Sequence, residues 1–181
     1  RNKLITGTSV AAVSALIQSG RAGGAWNGHG IVSSEAVGSG GLTSIGVATA
    51  AQAKGIAASA TATWAGQTVT GSDSLVMYTY GGDANLDGKI NVDDYGRIDG
   101  NANLPGVSGW FNGDFNYDGK VNIDDYTTVI DSNIGNQSGA FIPSSGGPAS
   151  EFGELSRAAG PLAIPEPATL TWLLIPATVS L

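Results

Sequence analysis

Asp83-Ala-Asn-Leu-Asp-Gly-Lys-Ile-Asn-Val-Asp-Asp-Tyr95 and Asp114-Phe-Asn-Tyr-Asp-Gly-Lys-Val-Asn-Ile-Asp-Asp-Tyr126 are two copies of one pattern, with nine of thirteen positions identical. In each copy, oxygen-bearing side chains occupy positions 1, 3, 5 and 12, and position 6 is glycine. This is the spacing of a twelve-residue EF-hand calcium loop. The repeat therefore predicts two Ca²⁺ ions bound in two similar loops.

Calcium takes six to eight oxygen ligands, and the repeat offers a complete set in each loop. In the first loop (83–94) the predicted ligands are Asp83, Asn85, Asp87, the Lys89 carbonyl, Asn91 through a water molecule, and Asp94. In the second loop (114–125) they are Asp114, Asn116, Asp118, the Lys120 carbonyl, Asn122 and Asp125. Position 12 is Asp rather than Glu, and its shorter side chain predicts moderate affinity. The alternative interpretation is a pair of solvated acidic turns, which a repeated match disfavours.

The flanks of the loops predict a short helix after each loop and none before it. Candidate exit helices run over 93–99 and 124–132, with Asp residues in their first turns and an apolar stripe. The residues before the loops alternate like a strand or are too rich in glycine for a helix. Ile90 and Val121, at position 8 of the two loops, are expected to join them by a short backbone bridge.

Residues 81 to about 136 resemble dockerin type I modules, which consist of two loop–helix units of this kind. The resemblance implies two calcium ions and a role in docking to a cohesin-like protein partner. In that family, loop positions 10 and 11 and the following helix contact cohesin, often with a hydroxyl pair. Here those positions are Val92-Asp93 and Ile123-Asp124.

The charge of the chain is concentrated in the same region. The net charge is −7, and residues 83–131 hold ten acids and three bases, so their balance is 3 − 10 = −7. Two Ca²⁺ ions would bring this segment to about −3, and without metal it is expected to loosen. The eight scattered basic residues make no patch for nucleic acid. The chain has no cysteine and cannot form disulfides, so in a secreted protein bound metal is expected to take over their stabilising role.

An α+β fold is predicted, with a body over 1–80 and a double calcium-binding module over 81–136. The body combines an N-terminal helix over 8–20 with a small β-sheet, whose candidate strands are 44–50, 61–64, 67–70 and 75–80. The stretches around Trp26 and before the first loop resemble the C-terminal part of large secreted planctomycete surface proteins. That resemblance implies an extracellular or cell-surface location.

The C-terminal part is predicted to be a Gly/Ser/Pro linker over 137–162 and an extended apolar tail over 163–181. Pro165-Glu166-Pro167 and the apolar residues after it resemble a PEP-CTERM sorting tail that lacks the terminal basic cluster. The last fourteen residues would form about 21 Å of helix, short of the roughly 30 Å hydrocarbon core, so no stable membrane span is expected. The tail is instead expected to pack on a neighbouring copy, giving a homo-oligomer or polymer.

Three functions are compatible with these observations. The first is an extracellular calcium-binding structural protein, a subunit of a calcium-stabilised surface assembly or filament. The alternative is a dockerin-type docking module that anchors a larger secreted protein to a cohesin-like partner or the cell surface. An enzyme is not expected, because outside the loop segment only Glu35, Asp73, Glu151, Glu154 and Glu166 carry carboxylates, and none has a catalytic setting. The single histidine, His29, is expected to be structural or merely exposed.

Overall fold

The computed structural model describes residues 3–141. The described residues all belong to one compact unit. The predicted apolar tail (163–181) and all but the first five residues of the predicted linker lie outside the described residues.

A three-stranded antiparallel sheet forms the centre of the unit. Its strands are β1 (Lys3–Thr6), β2 (Thr43–Thr49) and β5 (Ser74–Tyr80), and β5 lies between the other two. The predicted strands corresponding to β2 and β5 are confirmed. Strand β1 was not predicted, because its four residues, Lys-Leu-Ile-Thr, do not alternate between apolar and polar. Both faces of β5 are covered: six of its seven residues are buried.

Two further strands form a separate hairpin, β3 (Thr61–Trp64) and β4 (Gln67–Thr70), as the sequence predicts. Ala65 and Gly66 make the two-residue turn with φ values of 52° and 79°. Positive φ at both positions is the type I′ geometry that suits the twist of the strands. The fold is therefore α+β, with a small antiparallel sheet and an N-terminal helix, as expected.

The N-terminal helix, α1, spans Val10–Arg21. The Ser9 side chain accepts a hydrogen bond from the Ala12 N–H and caps the helix start. Val13 and Ile17 are buried on the inner face of the helix. The predicted helix over 8–20 is confirmed to within a turn. Two shorter helices, α2 (Ser34–Gly38) and α3 (Ala50–Lys54), flank β2 along the chain.

A helix follows each loop of the repeat. After the first loop it is α4 (Val92–Asn101). After the second, a helical run over 123–134 comprises α5 (Ile123–Asp125), a wider turn over Tyr126–Ile130, and α6 (Asp131–Ile134). In the wider turn, the Asp131 N–H donates to the carbonyl of Tyr126, five residues earlier. This is a π-helical turn, which accommodates one extra residue within a helix.

The π turn keeps equivalent Tyr and Asp residues of the two helices in equivalent positions. Tyr95 and Asp99 are four residues apart, whereas Tyr126 and Asp131 are five apart. The Tyr95 hydroxyl donates to Asp131 Oδ1 at 2.6 Å, and the Tyr126 hydroxyl donates to Asp99 Oδ1. The contacts are reciprocal because the π turn absorbs the inserted residue and restores the position of Asp131.

Two glycines pack reciprocally between the repeats in the same way. Gly82 precedes the first loop and packs on Ile130 of the second helical run, and Gly113 precedes the second loop and packs on Ile98 of α4. A Cβ on either glycine would lie within 3 Å of the isoleucine, and both glycines have φ above 100°. Each loop is therefore held against the helix that follows the other loop, and only glycine permits this approach.

The loops and the sheet share one hydrophobic core. Strand β5 runs directly into the first loop, and the core cluster of the described residues extends from Val13 in α1 to Ile130. Trp110, which is fully buried, connects these parts: its indole lies against Gly46 of β2. Among residues 3–141, no helix has the length and apolarity needed to cross a membrane.

Candidate metal centre

The two acidic loops have nearly identical backbones. At position 4, Leu86 and Tyr117 both adopt left-handed conformations, with φ of 60° and 61°. At position 6, Gly88 and Gly119 have φ of 90° and 86°. Left-handed residues are costly for anything but glycine, so their recurrence at the same positions shows that one loop design occurs twice.

Each loop ends in the same helix cap. Asn91 caps α4 and Asn122 caps α5, with φ of −150° and −149°. The carboxylates at position 12, Asp94 and Asp125, accept the N–H of the respective cap residue and complete a capping box. The side-chain oxygen of Asn91 accepts the Asp93 N–H at 2.8 Å. Both asparagines, predicted to reach an ion through water, are thus helix-capping residues in this structure.

The second oxygen of each position-12 carboxylate closes the loop. Asp94 Oδ1 accepts the backbone N–H of Ala84 at 2.8 Å. Asp125 Oδ1 accepts the N–H of Phe115, also at 2.8 Å. Each of these carboxylates therefore connects the start of its loop to the start of the helix that follows.

The carboxylate at position 1 of the first loop is fully hydrogen-bonded. Asp83 Oδ1 accepts the Asp87 N–H at 3.1 Å, and Oδ2 accepts the Gly88 N–H at 2.9 Å. The Thr79 hydroxyl, from β5, also donates to Oδ2. Thr79 was not predicted as a site residue, because only its position four residues before the loop, at the end of the strand, could have indicated it.

The carboxylate at position 1 of the second loop has an unused acceptor. Asp114 Oδ2 accepts the Gly109 N–H at 3.1 Å, whereas Oδ1 has no hydrogen-bond partner among the described residues. Asp114 is only 3% exposed. A buried carboxylate oxygen without a partner is costly, and a bound cation would satisfy it.

Burial disfavours the ionised form of these carboxylates when no cation is bound. Asp83, Asp94 and Asp125 are fully buried. Burial, together with the neighbouring charges of Asp94 and Asp87, raises the pKa of Asp83 to about 7. Burial also raises the pKa of Asp94 and of Asp125 to about 6, and raises the pKa of Asp114. Buried, mutually repelling carboxylates are groups that a divalent cation would stabilise.

The arrangement of oxygens suits a hard cation, although it is not a preformed ligand cage. Within residues 3–141, no three His, Cys, Asp or Glu side chains gather closely enough to hold a metal by themselves. Asp83, Asp94 and Asp125 instead accept hydrogen bonds from N–H groups of their own loops, and Asp114 accepts one from Gly109, just before its loop. The remaining side-chain candidates are oriented by the same turns: Asn85 accepts from the Asp87 N–H, and Asp87 accepts from the Lys89 N–H. In the second loop Asn116, Asp118 and Lys120 repeat this chain of contacts.

The predicted backbone bridge between Ile90 and Val121 is wrong. Both backbone groups of Ile90 are taken by the side chain of Gln137, whose Oε1 accepts the N–H and whose Nε2 donates to the carbonyl, each at 2.8 Å. The Val121 carbonyl accepts the Asn103 N–H at 2.8 Å. Gln137 and Asn103 each follow the helix of the opposite repeat, so each loop pairs with the other's exit segment rather than with the other loop.

The segment 137–141 covers the first loop. The Phe141 N–H donates to the Gly88 carbonyl at 2.7 Å, and the Phe141 ring lies 4.4 Å from the Tyr80 ring centroid. The Tyr80 hydroxyl donates to the Gly139 carbonyl at 2.9 Å. The first residues of the predicted linker are thus part of the site's surroundings, which their Gly/Ser-rich composition did not indicate.

The second loop docks on the N-terminal part of the chain. The Tyr117 hydroxyl donates to the Ile45 carbonyl of β2 at 2.6 Å. From α1, Gln18 donates to the Tyr117 carbonyl at 2.6 Å, and Arg21 donates to the Asn116 carbonyl at 2.7 Å. These contacts span 72 to 99 residues, which is why no local pattern predicted them.

The raised pKa values predict how the metal-free chain responds to pH. The folded-state pKa of Asp83 is about 7, whereas an unfolded Asp titrates near 3.9. The folded state therefore binds more protons in this window, and the stability that protonation supplies is present below about pH 4 and is lost as the pH rises through about 7. In chelator, we expect urea unfolding to show a free energy of unfolding about 2 kcal/mol lower at pH 8 than at pH 5. A higher stability at pH 8 would contradict the assignment.

Comparisons with known proteins do not identify the chain: no family model, curated protein or solved structure matches it significantly.

Proposed function

We propose that this chain is an extracellular calcium-binding structural protein, a subunit of a calcium-stabilised surface assembly, and that each acidic loop holds one Ca²⁺ ion. The unpartnered, buried Oδ1 of Asp114 carries the proposal. A carboxylate oxygen in that setting requires a donor or a cation. The backbone N–H groups of Asp118 and Gly119 lie near this carboxylate, but neither forms a well-aligned hydrogen bond with Oδ1.

The oxygen types available to the ions support calcium over other metals. Carboxylates, amide side chains and backbone carbonyls are hard ligands, which favour Ca²⁺ or Mg²⁺ over zinc or copper. In each loop, the carboxylates at positions 1, 5 and 12 and the amide at position 3 would hold the ion, together with the Lys89 or Lys120 carbonyl. When bound, the ion supplies the positive charge that these buried groups lack.

The assembly role rests on the apolar tail together with the calcium loops. The apolar side chains of the tail over 163–181 are proposed to pack on a neighbouring copy. An extracellular location is supported by the resemblance to secreted surface proteins. The chain has no cysteine, so bound metal would stabilise it there in place of disulfides.

The test combines metal analysis with imaging of the full chain. We expect equilibrium dialysis to give two bound Ca²⁺ per chain, and electron microscopy to show assemblies in calcium that dissolve in chelator. Assemblies that persist after prolonged chelation, with metal analysis confirming its removal, would exclude calcium as their stabilising agent. A chain that remains monomeric in calcium would exclude the assembly role while leaving calcium binding intact.

A docking module is the second candidate, and one observation favours it. Val92 and Ile123, at position 10 of the two loops, are 80% and 65% exposed. Each of these exposed apolar side chains, at equivalent positions of the two loops, is a contact that a protein partner could cover. Capture of a partner in one-to-one stoichiometry by an otherwise monomeric chain would support this function over self-assembly.

A further inference from the structure

The second loop has a positively charged neighbour that its own sequence does not contain. Arg21, at the end of α1, donates from Nη1 to the carbonyl of Asn116 at position 3 of the loop. The guanidinium is partly buried there, and the carboxylates of Asp114 and Asp125 are the acidic charges that act on it. A buried arginine stays protonated, so this part of the loop always lies beside a positive charge.

The residues that cover the first loop are neutral instead. Arg97 of α4 lines a pocket with Asn85 of this loop, and its guanidinium lies over the Phe111 ring. Gln137 takes both backbone groups of Ile90, and the Phe141 backbone bonds to Gly88. The fit is close, because a Cβ on Gly88 would lie 2.3 Å from the Phe141 carbonyl oxygen. The matching glycine of the second loop, Gly119, is exposed and has nothing within 4 Å of that position.

The charge of Arg21 and the cover over Gly88 act in the same direction on a bound dication, and they oppose the unpartnered Asp114 Oδ1, which favours an ion in the second loop. Each loop has four Asp and one Lys of its own, which gives 1 − 4 = −3, and Arg21 changes the total around the second loop to −2. A like charge weakens the binding of a cation nearby. The cover over Gly88 restricts exchange at the first loop, whereas the second loop is open at Gly119.

We propose that the positive charge of Arg21 lowers the calcium affinity of the second loop, so that the first loop fills before the second. This inference rests on the proposed calcium function and assigns different roles to its two sites. The first loop remains filled and holds the fold together. The second loop binds and releases calcium as the external calcium concentration changes. Through its contacts with α1 and β2, this binding affects the N-terminal part of the chain.

The test follows each loop separately in the full chain. The backbone amides of Gly88 and Gly119 report their own loops, so a calcium titration followed by ¹H–¹⁵N NMR gives two binding curves. In the wild type, we expect the Gly88 curve to saturate at lower calcium than the Gly119 curve. In Arg21→Gln, we expect the midpoint for Gly119 to fall by roughly fivefold and that for Gly88 to stay unchanged.

Two further variants separate charge from packing. Arg21→Lys keeps the charge and should leave the Gly119 midpoint near its wild-type value. Lys3→Gln removes one positive charge from the start of β1, where the ammonium lies over the Trp64 ring, and it should move neither midpoint if the effect of Arg21 is local. Coincident curves in the wild type would overturn the inference even if Arg21→Gln fails to fold. Absence of binding at both glycines would overturn the proposed calcium function as well.

Discussion

Trp110→Ala is expected to destabilise the calcium-loaded chain by about 3–5 kcal/mol, the usual cost of deleting a buried tryptophan side chain. The Trp110 indole is fully buried and donates from Nε1 to the carbonyl of Asp83 at 2.6 Å. It stacks on Tyr117 with ring centroids 5.5 Å apart and contacts Phe115 edge to face. Its removal would leave a cavity between the sheet and both loops at once.

Denaturant unfolding at saturating calcium measures this effect. Trp110→Phe keeps an aromatic ring but loses the hydrogen bond to Asp83, so it should cost less than the alanine variant. Leu104→Ala is the matched control, because Leu104 is 50% exposed and its truncation should change stability by about 0.5 kcal/mol or less. If Trp110→Ala and Leu104→Ala unfold at the same denaturant concentration, Trp110 does not join the loops to the sheet.

Calcium removal is expected to have an effect of similar size. At a free calcium concentration of about 100 times the dissociation constant, each site adds about 2.7 kcal/mol to the free energy of unfolding. Two sites would therefore add about 5 kcal/mol, a large part of a typical total of roughly 5–15 kcal/mol. Thermal unfolding at pH 8 in calcium and in chelator should show this as a marked fall in melting temperature.

The variant Asp83→Asn tests calcium stabilisation at the first loop alone. In calcium it should lower the melting temperature, because the first loop loses a ligand charge. In chelator at pH 8 it should match or exceed the wild type, because it removes a buried carboxylate whose pKa burial has raised. Asp93→Asn, an exposed position in the same loop that caps nothing, should show neither effect. Equal melting temperatures of the wild type in calcium and in chelator would refute calcium stabilisation.

The spacing of residues along the sequence predicted those parts of the fold whose hydrogen bonds join residues no more than about a dozen positions apart. The start of α1 at Ser9, the β3–β4 hairpin and the helices after both loops belong to this group. The loop conformations belong to it too, since Asp94 and Asp125 bond to N–H groups no more than ten residues away. Such contacts depend on the order of neighbouring side chains and little on the rest of the chain.

The wrong prediction and the missed residues have a common physical cause. Ile90 and Val121 have the apolar, β-branched character of a bridging pair, yet Gln137 reaches Ile90 across 47 residues. Gln18 and Arg21 reach the second loop across 99 and 95 residues. Whether such groups meet depends on how the sheet, α1 and the exit helices pack, and the one-residue insertion that forms the π turn adjusts that packing.

The sequence alone thus determined two acidic, glycine-turned loops, each continuing into a helix, because their geometry is encoded in thirteen consecutive residues. Only the tertiary structure decided that the loops have unequal surroundings, with Gln137 and Phe141 over the first and Arg21 beside the second. The reason is that a local turn selects its own hydrogen-bond partners, whereas the charge and cover around it come from distant segments that only the folded core brings near.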